Sequence, residues 1–263
     1  MKKMFAGLLV ALMLITLTLT ALAGGRLDAI KAAGKLVIGT SPDYAPYEFP
    51  GPDGQPVGAD IDLAKYLAEG LGVELVVESF SFEGVLAAVA AGKIDLGIAG
   101  MDPTPERKSS MDFTDIYYNE TNQVILIHKD SQETIKTLAD FAGKKVAAQN
   151  GTLQQTLVTE QLPDSQMELI TLIPDGIMML LTHKVDGIAL ASVVADQYIA
   201  NYPDLVICES KFDYTSSGIA AALPLGEPEL LEAVNGLIAK VVEENLFYQW
   251  MDAAVELNNS MTK

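Results

Sequence analysis

Short aliphatic runs recur along this chain, separated by stretches whose apolar residues fall at helical spacing, and that alternation limits the fold more than any other feature. The runs KLVIGT (35–40), VELVVE (73–78), IDLGIAG (94–100), QVILIH (123–128), KVAAQ (145–149), MELITL (167–172), VDGIAL (185–190) and GIAAAL (218–223) read as strands. Strands alternating with helices build βα units around a largely parallel sheet, so an α/β protein is expected.

Two halves carry the same unit. FEGVLAAVAAGKIDLGIAG (82–100) and PDGIMMLLTHKVDGIAL (174–190) both run helix, Lys-aliphatic-Asp, strand. The repetition points to two α/β lobes, although two ordinary helix-to-strand connections can also look alike by chance. Polar YYNETNQ (117–123) reads as a crossing or hinge between them, and ESKFDYTSSG (209–218) as a second. A last strand and a long helical pattern over 227–257 then return to the first lobe. The expected division is 24–120 for the first part of lobe 1, 121–212 for lobe 2, and 213–263 for the return. Ligands of open α/β sheets bind beyond the carboxyl ends of the strands, so the loops there are the places to search.

The first 23 residues read as a secretory signal peptide. Lys2 and Lys3 precede an uncharged run, Met4 to Ala23, that ends in the small-residue pattern Ala21-Leu22-Ala23. An uncleaved membrane anchor is the competing reading, weakened by Thr16, Thr18 and Thr20. No cysteine ends the run, so a lipoprotein is not indicated. Without these residues the net charge of −18 becomes −20 over 240 residues, a surface that repels nucleic acid and anionic membrane.

Cys208, the only cysteine, excludes an intrachain disulfide and reads as a buried, inert thiol. His128 and His183 are the only histidines and read as surface or packing residues. HExxH, CxxC, GxSxG, Walker A and GxGxxG patterns are all missing, so no catalytic residue, metal site or cofactor is expected.

Several residues could hold a small ligand. Arg107 follows Thr104-Pro105-Glu106, a helix-start signature just past a strand end. A guanidinium beside a helix N-terminus suits a carboxylate, which it can grip with two parallel hydrogen bonds; a surface salt bridge to Asp112 or Asp115 is the alternative. A second strand-to-helix turn, Asn150-Gly151-Thr152, would aim the N–H groups of Gly151, Thr152 and Leu153 outward. Tyr44, Tyr47 and Phe49 in GTSPDYAPYEF (39–49), and Phe82 at a helix start, could face a ligand's side chain or simply pack their loops.

Together these stretches resemble the bacterial extracellular solute-binding proteins of family 3, amino-acid receptors of ABC importers. The carriers are GTSPDYAPYEF, GADIDLAKYLAEGL (58–71), the block 81–118, VAAQNGT (146–152) and KVDGIAL (184–190). Ala59 departs from the bulky residue usual after the first glycine of the signature, while Asp60, Ile61, Asp62 and Leu63 fit. The resemblance implies a two-lobed, type II periplasmic-binding-protein-like fold. Each lobe is a mostly parallel sheet flanked by helices, and two hinge segments cross between them. It also implies an extracytoplasmic monomer, without cofactor, that traps a polar amino acid and delivers it to a membrane permease.

By the same resemblance, Arg107 clamps the ligand α-carboxylate, helped by N–H groups near Leu153. Tyr44 and Phe82 sandwich its side chain, Gly100 offers a carbonyl to the α-ammonium, and Gln149 approaches from the second lobe. The family's second-lobe acid falls at Ala191 here, and Asp102 stands where Ser or Thr is usual. We therefore expect Asp102 to meet the ammonium, unless it merely pairs with Arg107. The acid of relatives that bind cationic ligands aligns with Ser41, which weakens a lysine or arginine reading unless Asp43, Glu48 or Glu83 substitutes.

Two other uses of such a fold stay open: a cyclohexadienyl-dehydratase-like enzyme and a sensory ligand-binding protein. The enzyme needs a general acid in the cleft, and Ala191 removes one from the expected place.

Overall fold

The computed structural model of the chain describes residues 25–119 and 122–261. The expected leader, 1–23, and Glu120 and Thr121 of the first crossing lie outside the described residues. Among the described residues no helix is long and apolar enough to cross a membrane.

Helix α1 (Arg26–Ala33) leads into β1 (Lys35–Thr40). A small ribbon of β2 (Phe49–Pro50) and β3 (Pro56–Val57) precedes α2 (Ala59–Leu71), β4 (Glu74–Ser79), α3 (Phe82–Ala90), β5 (Leu96–Gly97) and β6 (Met111–Phe113). The next set is β7 (Gln123–His128), β8 (Lys145–Gln149), α4 (Leu153–Gln161), β9 (Gln166–Ile170) and α5 (Ile173–Leu181). It continues through β10 (Gly187–Ala191), α6 (Ser192–Asn201) and β11 (Leu205–Ile207). The chain returns by β12 (Ala222–Pro224), α7 (Pro228–Glu243) and α8 (Leu246–Met261).

These strands form two five-stranded sheets, β4-β1-β5-β12-β6 and β11-β7-β10-β8-β9. Each is mixed in the same way. In the first, β4, β1 and β5 are parallel and β12 is antiparallel to both of its neighbours. In the second, β10, β8 and β9 are parallel and β7 is antiparallel to β10 and β11. The one reversed strand in each sheet, β12 or β7, is the strand that enters it from the other lobe.

The repeated Lys-aliphatic-Asp element has a structural cause. Asp95 accepts the Val37 N–H on Oδ2 at 2.7 Å while its own N–H donates to Val37 O at 2.8 Å. In the second lobe Asp186 repeats the pattern: Oδ2 accepts the Lys145 N–H at 2.8 Å and its N–H donates to Lys145 O at 2.8 Å. The aspartate thus fixes the register of each sheet where its helix hands over to a strand.

One apolar cluster runs continuously through both lobes, and a smaller one belongs to the second lobe alone. Leu36, Ile38 and Leu96 pack under Leu63 and Leu67 of α2, whose Asp62, Lys65 and Glu69 stay outside the buried face. Ile125, Ile127 and Val146 pack with Phe141 and Leu157. The two crossings pair with each other: Tyr118 and Ile219 form an antiparallel bridge, and Tyr117 N–H donates to Ile219 O at 3.0 Å. Helix α8 reaches the second lobe as well, where Asn258 Nδ2 donates to Gln197 Oε1 of α6 at 3.1 Å.

Some expected elements are redrawn. IDLGIAG is regular only over Leu96–Gly97, because Gly100, at φ 51°, turns the chain out of the sheet. GIAAAL is strand only at its end. The long helical pattern over 227–257 is two helices, broken where Asn245 takes φ 53°, a left-handed conformation that asparagine tolerates better than most residues. The three-residue strands β6 and β11 were too short for a periodic signal.

Candidate functional site

A cleft lies between the lobes, at the carboxyl ends of β1 and β8. Around it the structure brings together Tyr44, Phe82, Gly100, Asp102, Arg107, Gln149, Thr152 and Leu153, the residues singled out from the sequence. It adds Ser41, Asp43, Glu48, Ala99, Met101, Gln123 and Gln154.

The loop after β1 folds tightly, with Tyr44 N–H donating to Glu48 O at 2.9 Å, which places both side chains on the cavity. Tyr44 stacks on Tyr47 with ring centroids 5.7 Å apart. Phe82 opens α3 because Ser81 caps that helix, its hydroxyl accepting the Gly84 N–H at 3.2 Å. Gly100 needs its positive φ, and its N–H donates to Asp60 Oδ2 at 2.7 Å.

The expected helix at Thr104 is only a 3₁₀ turn, Arg107–Ser109, since the chain enters β6 at Met111. The Thr104 hydroxyl still accepts the Arg107 N–H at 3.3 Å, but the helix N-terminus beside the guanidinium is that of α4, at Thr152-Leu153. Arg107 is 8% exposed, with its guanidinium carbon 5.1 Å from the centre of the Phe82 ring. Nη1 donates to Asp102 O at 2.8 Å and Nη2 to Gly151 O of the second lobe at 3.2 Å. Burial lowers its proton affinity and the nearby Asp102 carboxylate partly restores it; the group stays cationic.

Asp102 does not form an ion pair with Arg107. Its Oδ1 accepts from Ser216 Oγ at 2.6 Å and Tyr214 Oη at 3.2 Å, both on the second crossing. Burial raises its pKa against those bonds.

The turn Asn150-Gly151-Thr152 also differs from expectation. The Gly151 N–H donates to Gln155 Oε1 at 2.8 Å and the Thr152 N–H to Gln149 O at 3.3 Å, so two of the three expected donors are satisfied internally. Thr152 caps α4, accepting the Gln155 N–H, and this local bonding competes with an outward-facing nest.

Two of the acids that the sequence offered as substitutes for the one missing at Ser41 dominate the electrostatics. Asp43, 7% exposed, accepts from Ser41 Oγ at 2.9 Å, Gln149 Nε2 at 2.8 Å and the Ile173 N–H at 2.9 Å. Glu48 is 0% exposed; among the described residues no N–H or hydroxyl donor reaches its carboxyl oxygens, and its hydrogen-bonding neighbour is the carboxyl of Asp60. Burial first, then the charges of Asp60 and Asp43, push its pKa well up. Asp60, behind it, accepts from Gly100 and from Tyr117 Oη at 2.9 Å, and burial raises its pKa to about 6. Glu83 lies outside the cavity wall and accepts from Asn150 across the lobes. Ala191, at the end of β10, is fully buried and opposite Gln123 in the sheet.

Residues 36–253 match the bacterial extracellular solute-binding proteins, family 3. The chain belongs to that family. The arginine-binding extracellular protein ArtP of Bacillus subtilis is 35% identical, over 84% of this chain and 86% of that protein. ABC transporter arginine-binding protein 1 of Escherichia coli is 30% identical, over 90% of this chain and 97% of that protein. An amino-acid ABC transporter substrate-binding protein of Streptococcus pneumoniae, solved with L-arginine, superposes with a TM-score of 0.84. It is 37% identical, over 89% of this chain and 98% of that one. Like them, this solute-binding protein is a binder and not an enzyme.

Proposed function

We propose that this protein captures a cationic amino acid of the arginine kind between its lobes and delivers it to the membrane permease of an ABC importer. The observation that carries the reading is Glu48: a fully buried carboxyl on the cavity wall whose hydrogen-bonding neighbour is another buried acid, Asp60, with no cationic side chain among the described residues paired to either. Two adjoining buried acids are costly to ionise, so Glu48 keeps its proton without ligand, and a guanidinium or ammonium supplied by the ligand stabilises the charged form.

The rest of the wall follows the same arithmetic. Arg107 answers the ligand carboxylate, Asp102 its α-ammonium, and Glu48 with Asp43 a second positive group. The rings of Tyr44 and Phe82 cover the aliphatic stem. A ligand with one negative and two positive groups fits this set better than a neutral amino acid. The names of the relatives, arginine-binding in two organisms, agree.

Ligand selects the closed arrangement because only there do both lobes reach it. The leader expected over 1–23 and the family's extracellular character support action outside the cytoplasm. Titration calorimetry with arginine, lysine, histidine, cystine and glutamine tests the reading. Arginine is expected to bind tightest, and tighter binding of neutral glutamine would overturn it.

A further inference from the structure

The only two histidines of the chain come from distant segments and meet on the second lobe. His128 ends β7, His183 follows α5, and their ring centroids are 4.4 Å apart. Asp130, in the turn Lys129–Ser131, lies between them: its Oδ2 is 3.3 Å from His128 Nδ1 and 4.0 Å from His183 Nε2. One ligand atom from each residue falls within 4.8 Å of the other two. Neither histidine lines the amino-acid cavity.

We propose that His128, Asp130 and His183 form a binding site for a divalent transition-metal ion of the zinc class. Ligand atoms about 2.0–2.2 Å from a common ion stand roughly 3–4 Å from one another; the two distances to Asp130, 3.3 and 4.0 Å, fall there, and the third pair lies within 4.8 Å. Two imidazoles and one carboxylate make a three-ligand set with a position left for water. Lys129 and Lys184 flank the histidines in sequence and a single carboxylate serves the trio. Calcium and magnesium, which need several oxygen ligands, are therefore disfavoured against an ion that prefers imidazole nitrogen.

The backbone is shaped toward this arrangement. His183 holds φ 55°, uncommon for a residue with a side chain. It turns the chain at the end of α5 and sets its imidazole over His128. His128 Nδ1 presents its lone pair on the Asp130 side, accepting the Asp130 N–H at 3.2 Å, a long bond that a metal–nitrogen bond replaces. The bound ion ties the end of β7 to the link between α5 and β10, joining two segments of the second lobe.

The test uses the full chain without a histidine tag, titrated with zinc chloride by calorimetry and melted with and without zinc. One equivalent of saturable binding and a raised melting temperature are expected. His183→Asn, which keeps a residue tolerant of positive φ, and Asp130→Asn, at an exposed position, should each weaken zinc binding by at least about tenfold, the scale seen on removing even an outer-sphere partner. Both variants are expected to melt as the parent does without zinc. Absence of saturable zinc binding, or binding of equal strength in both folded variants, would overturn the site.

Discussion

Gln149 donates its Nε2 hydrogen to Asp43 Oδ2 over 2.8 Å, a buried bond that joins the second sheet to the loop after the first strand. The same oxygen accepts the Ile173 N–H at 2.9 Å, so one carboxylate of lobe 1 holds two elements of lobe 2. Hydrogen bonds to a charged group contribute about 1.5–3 kcal/mol each. Asp43→Ala should shift the ligand-free protein toward an open form. Small-angle scattering would show a larger radius of gyration for the variant; identical profiles would mean that this bond does not hold the lobes together.

Arg107 reaches both lobes through a planar fork and lies over Phe82. Lysine keeps the charge but cannot form two parallel bonds to a carboxylate. Arg107→Lys is expected to raise the Kd for arginine by about tenfold or more. Calorimetry measures this, and a Kd within a factor of about two of the parent's would exclude the carboxylate clamp.

Glu48→Gln separates specificity from folding. The amide keeps the shape and can donate toward Asp60, so the ligand-free protein should melt at the same temperature or higher. Arginine should bind about tenfold or more weakly, with neutral amino acids little changed. Equal losses for arginine and for a neutral ligand would show that Glu48 does not read the side chain.

Asp102 is held by Tyr214 and Ser216 on the second crossing while lining the cavity. If it meets the α-ammonium, Asp102→Ser weakens every amino-acid ligand by about tenfold. Its decarboxylated analogue of arginine, agmatine, and methylated amine forms would distinguish the two ends of the ligand. Full affinity in the serine variant would leave the ammonium to other acceptors.

Asp60 gives a pH signature. Its folded pKa, about 6, exceeds the ordinary 3.8 because burial disfavours the charge. The folded state therefore binds this proton more tightly than the unfolded chain. The group's contribution grows as pH falls through about 6 and is complete below the unfolded value, on the order of 1–3 kcal/mol. Thermal melts between pH 7.5 and 4.5 should show the parent gaining on Asp60→Asn as pH falls; parallel curves would refute it.

The strands KLVIGT, QVILIH and KVAAQ are legible because several consecutive apolar residues leave a periodic trace, and the structure keeps their limits. MDF and LVI leave none over three residues. Arg107 could be singled out as a cation just past a strand end, whereas Tyr44 and Phe82, which could equally pack their own loops, drew their role from the family resemblance. The helix expected at Thr104 failed because a capping hydroxyl and a proline describe only the start of a turn, not whether residues to sustain it follow.

Sequence alone determined the alternation of strands and helices, the doubling of the unit, and the positions of the conspicuous cation and aromatics. All of these are local, being written within a few residues of one another. Tertiary structure decided which charges meet. Asp43 faces Gln149 across 106 residues, Asp102 turns to Ser216 instead of Arg107, and Glu48 is sealed beside Asp60. Burial and partnership depend on distant segments converging, and a carboxylate's charge and cost follow from that convergence rather than from its neighbours in the chain.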